Sequence, residues 1–252
     1  MLLKLLKYDF RAMWKSFSLI WGAAMALSLV HGVVYSLRPM PFYSSGVTVM
    51  SIVSTVLSIT LTAMFVIVLV FIIRRFEKGL LGDEGYLMHT LPVRPWQLVL
   101  SKLICALAVI IISVAVSFLV LILMIPVDWY EILYLPYLWD FLRWTLSHPD
   151  LLAYLAELCL VVLSCLVLGI SILYLSMAIG HLFHRRRTLM GVAAFIGLYI
   201  LINIYSTWVA DIAIFRMESH AGLLASAAVV LLPAAVCLAA VCWILEHRLD
   251  LE

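Results

Sequence analysis

The sequence predicts an all-α, polytopic membrane protein, and three observations carry that prediction. Of 252 residues, 66% are hydrophobic and only 12% are charged, where soluble domains run at roughly 45–50% and about 25%. The few charges are bunched, which leaves six charge-free runs at 17–37, 46–73, 103–125, 158–180, 188–210 and 221–245. Each is long enough to cross a bilayer as a helix, which takes about 20 apolar residues. The apolar excess excludes a disordered chain, and a net charge of +2 excludes a nucleic-acid binder.

The first element is an amphipathic helix over residues 2–17. Lys4, Lys7, Arg11 and Lys15 recur at steps of three and four on one face, with Leu3, Leu6, Phe10, Met13 and Phe17 on another and Trp14 at its edge. Such a helix lies in the membrane interface, cations toward anionic headgroups and apolar side toward the acyl boundary. It serves either as an anchor that sets topology or as a lever that turns with the first span. The run at 17–37 is too long for a secretory leader's apolar core and is read as a retained span.

The second span, 46–73, must tilt or project from the bilayer. It carries a hydroxyl stripe, Ser51, Ser54, Thr55, Ser58 and Thr62, and small polar residues of this kind make helix contacts or line a path. Ser113 and Ser117 repeat the pattern in the third span, and Ser176 and Gly180 in the fourth. Orientation follows from the cations. Thirteen of the sixteen Lys and Arg fall in the N-terminal segment, the second and fourth connections and the C-terminal tail. Arg38, Arg143 and Arg216 alone lie opposite. The positive-inside rule then places both termini in the cytoplasm.

The connection at 74–97 is too apolar for a solvated loop and too interrupted by Gly and Pro to span. Asp83 and Glu84 precede a short helical segment that ends at Pro92, which suits acids at a helix N-terminus. That segment presents Tyr86, Leu87 and Leu91 beside the carboxylates. It either docks into a groove on another protein or packs on this protein's own surface.

The outer connection, 126–157, holds Asp128, Glu131, Asp140, Asp150 and Glu157 against Arg143, interleaved with Trp129, Tyr130, Tyr134, Tyr137, Trp139, Phe141 and Trp144. The rings form an interfacial belt or, with the acids, receive a cationic amphipathic peptide. The punctuation predicts two short interfacial helices broken at Pro136. Pro233 should kink the sixth span. His181 and His184 precede Arg185, Arg186 and Arg187 without an acidic neighbour in sequence, so the cluster reads as an anionic-lipid contact and not a metal site. Cys105, Cys159, Cys165, Cys237 and Cys242 all fall in spans as packing residues.

Two segments, LLKYDFRA at 5–12 and GDEGYLMHTLPVRPWQLVLSK at 82–102, resemble the type-two ATP-binding-cassette (ABC) transporter permeases of Gram-positive bacteria. The resemblance implies a bacterial cell membrane, an interfacial connecting helix at 2–17 and a coupling helix at 82–92. Asp83, Glu84, Gly85, Tyr86, Leu87, His89, Leu91, Pro92 and Arg94 would dock into a separate ATP-hydrolysing subunit, which would carry the ATP and Mg. One departure is plain. Such permeases often carry re-entrant helices between their last two spans, and here only residues 211–220 are available for them.

The residues alone lead to the same place. No GxxxxGK[ST] occurs, so the chain offers no P-loop for ATP and is not expected to be an enzyme by itself. Ion-driven carriers place ionisable groups near the bilayer midplane, where this chain offers Asn203 and, nearer the outer edge, His31. A transporter without its own motor takes energy from a partner, and 82–92 is the segment to receive it. The expected function is the membrane subunit of an ATP-driven exporter of amphipathic substrates such as antimicrobial peptides, drugs or lipids, paired with a second permease copy or a relative. The path would draw on the hydroxyl stripe and Asn203. The alternatives are a non-transporting sensor or accessory subunit and an integral-membrane enzyme, although His31 has no catalytic partner in sequence.

Overall fold

The structure, a computed structural model, describes residues 2–36, 44–81, 95–124, 135–183, 186–210 and 219–247. Among the described residues seven α-helices form, in chain order α1 (Leu2–Ser36), α2 (Ser44–Phe76), α3 (Pro95–Met124), α4 (Leu135–Ser147), α5 (Pro149–His181), α6 (Arg187–Ala210) and α7 (His220–His247). A π-helical turn, Glu77–Leu81, continues α2. No strand forms among the described residues. Among the described residues five helices are long and apolar enough to cross a membrane, over Ser54–Leu80, Pro95–Leu123, Pro149–His181, Arg187–Val209 and His220–His247. In α1 the comparable described stretch is shorter, Phe17–Val33. The helices are apolar around most of their circumference and present large side chains outward, Leu19 at 76% and Trp208 at 75% exposure. Soluble proteins do not tolerate apolar surface on that scale. The chain has the make-up of a multi-pass membrane protein.

The molecule divides into two compact units. One comprises Leu6–Phe71 and Ala108–Trp144. Its core is Ala24, Leu57 and Val120, with Met25, Leu27, Leu61 and Val116 packed around them. Small groups let the helices close. Ser28 donates to the Val120 carbonyl at 2.7 Å, the Trp21 indole donates to Ser113 at 3.2 Å, and a Cβ on Gly32 would meet the Leu123 carbonyl oxygen at 2.8 Å. The other unit comprises Met1–Leu5, Ile72–Leu107 and Thr145–Glu252. There α5 is the hub, packed by α6, by α7 and by the π-helical turn. Gly180 of α5 faces Gly191 of α6 so closely that a Cβ at 180 would meet the Arg187 carbonyl oxygen at 2.8 Å and the Gly191 Cα at 2.9 Å.

Two features differ from the sequence expectation. The amphipathic segment and the first apolar run form one helix of 35 residues, because no Gly or Pro interrupts the chain before Gly22. Pro136, the expected break point, stands where the described part of this connection begins, residues 125–134 lying outside it. Pro136 sits in the first turn of α4, where a missing N–H costs nothing. A break falls at His148, and Pro149 opens α5, which runs unbroken for 33 residues. That makes α5 about 50 Å long at 1.5 Å per residue, well beyond a hydrocarbon core of about 30 Å.

Pro233 lies inside α7 with helix on both sides. Its ring nitrogen has no hydrogen, so the carbonyl four residues earlier loses its intrahelical donor. That carbonyl belongs to Val229, and the Tyr205 hydroxyl of α6 donates to it at 3.2 Å. In a bilayer an orphaned carbonyl has no water to turn to, so a neighbouring helix supplies the bond.

Candidate functional site

Residues 82–94, which hold the expected coupling residues Asp83, Glu84, Gly85, Tyr86, Leu87, His89, Leu91, Pro92 and Arg94, lie outside the described residues. Their root does not. From Arg74 onward α2 leaves its apolar composition, and at Glu77 the helix widens into five π-helical residues, Glu-Lys-Gly-Leu-Leu. A π-turn is rare and often marks a functional position. Here it rotates side chains that would otherwise continue the α2 register.

Three contacts fix this root. Phe76 and Tyr174 of α5 are both buried, with ring centroids 4.0 Å apart and planes 14° off parallel. Such pairs contribute about 0.5–1.5 kcal/mol beyond their buried area. One residue on, Glu77 Oε1 lies 3.7 Å from His181 Nε2 at the end of α5. Gly79 admits the aliphatic stem of Lys102 from α3, since a Cβ at 79 would sit 3.2 Å from Lys102 Cε and 3.4 Å from Nζ. Leu80 completes the turn at 0% exposure. Packed rings and the Glu77–His181 contact thus tie this root to α5.

Parts of this junction were open to sequence reading and parts were not. His181 lacks an acidic neighbour in sequence, yet Glu77, 104 positions earlier, stands beside it. Lys102 reads as a boundary cation but is 3% exposed. Tyr174, a phenol in the middle of an apolar run, is the one internal signal of a special position. At the other end of α5, Glu157 accepts a 2.9 Å bond from His220 Nδ1 at the start of α7, with the Tyr154 ring edge against the imidazole. Neither residue suggests the other in sequence.

The hydroxyl stripe runs along α2. Ser51, Thr55, Ser58 and Thr62 are exposed and Ser54 partly so, and their hydroxyls bond back along α2: Ser54 and Thr55 to the Ser51 carbonyl, Ser58 to that of Ser54 and Thr62 to that of Ser58. Asn203 belongs to the other unit. It is exposed on α6, donates to the Tyr199 carbonyl at 2.8 Å and accepts from Ser206 and Thr207 through its own carbonyl.

On α1, Lys7, Arg11 and Trp14 are exposed, while Lys4 and Lys15 lie on the helix with side chains outside the described set. His31 is 2% exposed and neither ring nitrogen has a hydrogen-bond partner. All five cysteines are free thiols. No group of three His, Cys, Asp or Glu side chains converges among the described residues. The chain matches no protein-family model, no curated protein and no solved structure.

Proposed function

We propose that this chain is the membrane-spanning permease subunit of an ATP-driven exporter. It has six spans and both termini in the cytoplasm, and it works through a separate ATPase subunit that docks on residues 82–92. The observation that carries the reading is the packed root of that segment. Phe76 against Tyr174, Glu77 against His181 and Gly79 against Lys102 give a push at 82–92 a stiff route into α5, the helix on which α6 and α7 rest. The sequence adds three supports: an apolar segment with paired acids at 82–92, no P-loop, and the resemblance of 82–102 to permeases of this class.

In this mechanism ATP closure of two associated ATPase subunits moves the two coupling segments. The motion passes through the π-turn to α5 and switches access from the inner to the outer side. Two permease copies, or this chain and a relative, enclose the path. An amphipathic substrate fits the acids and rings of 126–157. The test is reconstitution of the complex in vesicles with Asp83→Lys and Glu84→Lys together. The reading requires ATP hydrolysis to lose its response to substrate, and transport to fall, while the chain still inserts. Transport at the unaltered rate would refute it.

A further inference from the structure

The N-terminal part of α1 carries an open groove of about 440 Å³, lined by Lys7, Phe10, Arg11 and Trp14. These residues stand at i, i+3, i+4 and i+7, so they share one helix face. They also straddle a seam: Lys7 and Arg11 belong to the cationic face of this amphipathic helix, Phe10 and Trp14 to its apolar side. All four are exposed.

Two facts make the seam more than a solvated face. First, Lys7 and Arg11 stand one turn apart, and among the described residues neither belongs to an ion pair. Like charges at that spacing destabilise a helix, and an anion between them reverses the sign. Second, the apolar wall is anchored. Phe10 packs on Trp14 with centroids 6.0 Å apart, Trp14 meets Trp21 edge-on at 5.7 Å, Trp21 stacks on Phe17 at 5.7 Å, and Phe17 meets Phe71 of α2 at 4.9 Å. Trp21 is in turn pinned by its bond to Ser113. The exposed rings are the outer members of a ladder whose inner end is buried.

We propose that this seam binds one anionic phospholipid, its phosphodiester between Lys7 and Arg11 and its glycerol and upper acyl chains over Phe10 and Trp14. The occupant needs a negative head and an apolar body side by side across the seam, over about 10 Å of helix. The same helix then runs into the apolar stretch Phe17–Val33, which sets the groove where headgroups meet tails. Because the lipid touches the outer rings, its presence is transmitted along the ladder to Trp21 and Phe71. The inference rests on the membrane placement of the chain and stands apart from the transport reading.

The test is native mass spectrometry of the full chain in mild detergent with phosphatidylglycerol or phosphatidylcholine, both palmitoyl-oleoyl. One phosphatidylglycerol should be retained in preference to phosphatidylcholine. Lys7→Gln with Arg11→Gln should weaken its retention roughly thirty-fold, two cations each contributing about five-fold at an anionic site. Arg143→Gln, an exposed cation elsewhere, should leave it unchanged. Should the first double variant fail to fold, Trp14→Phe decides. Fluorescence quenching by chain-brominated phosphatidylglycerol must then fall by more than the one-eighth share expected if all eight tryptophans contributed equally. Equal retention of the two lipids overturns the proposal, as does unchanged retention in the Lys7/Arg11 variant or a smaller fall in quenching. Displacement of the lipid by glycerol 1-phosphate would make this a free-phosphate site and overturn it equally.

Discussion

The Tyr205 hydroxyl offers a sharp test of how this bundle manages its internal proline. Pro233 strips the Val229 carbonyl of its helical donor, and Tyr205 replaces that donor at 3.2 Å. Tyr205→Phe keeps the ring and its packing and deletes only the bond. Interhelical hydrogen bonds in membranes contribute about 0.6 kcal/mol on average and up to about 1.7. The carbonyl is left orphaned with no water at hand, which pushes the cost toward the upper half of that range, near 1 kcal/mol. The folding equilibrium should shift about five-fold. In a Pro233→Ala background the Ala N–H restores the helical bond, and the Tyr205 hydroxyl becomes redundant. There Tyr205→Phe should cost less than about 0.3 kcal/mol, giving a coupling of roughly 0.7 kcal/mol in the double-mutant cycle. Reversible unfolding in mixed micelles, followed by tryptophan fluorescence, measures all four corners. Equal costs in the two backgrounds would refute the reasoning, because the hydroxyl would then be acting on something other than the proline's orphan.

Other positions give independent checks by the same unfolding assay. Gly180→Ala forces a Cβ to within 2.8 Å of the Arg187 carbonyl oxygen and should destabilise by about 1–3 kcal/mol, whereas Gly197→Ala, with nothing within 4 Å, should be neutral or stabilising by up to about 1 kcal/mol. Ser113→Ala leaves the buried Trp21 indole N–H without its acceptor and should cost about 1–3 kcal/mol. His31→Leu removes two buried ring nitrogens that lack partners. It should leave stability unchanged or raise it, and a loss above about 1 kcal/mol would show that the imidazole is satisfied in the membrane.

The legible part of the fold was the part governed by solvent. A charge-free run must avoid water wherever it sits, so the centres of α2, α3, α5, α6 and α7 follow from composition. Helix ends were harder, because in this chain they are set by local stereochemistry beyond the bilayer. The break at His148, with Pro149 opening α5, was not marked by the sequence reading, while Pro136 lies in the first turn of α4. The continuity of α1 was visible as an absence of breakers but was outweighed by the change from amphipathic to apolar pattern at residue 17.

The site was legible only at its root. Arg74 and Arg75 marked the end of the charge-free run of α2, and Pro233 marked a kink in the last span. The partners that complete these features come from distant positions. Glu77 meets His181, Glu157 meets His220 and Val229 meets Tyr205, and no local pattern encodes which helix faces which. The hydroxyl stripe shows the converse. Its spacing is regular, but its hydroxyls spend their hydrogen bonds on their own helix.

The central claim is that residues 82–92 are gripped by an ATPase. A photo-crosslinking residue in place of Tyr86, introduced into the intact assembly in its native membrane, tests it most directly. The account predicts a covalent adduct whose second component contains a P-loop ATPase, formed from position 86 and not from Trp139 on α4. Crosslinks from position 86 confined to this chain or to lipid, in an assembly that still transports, would contradict it.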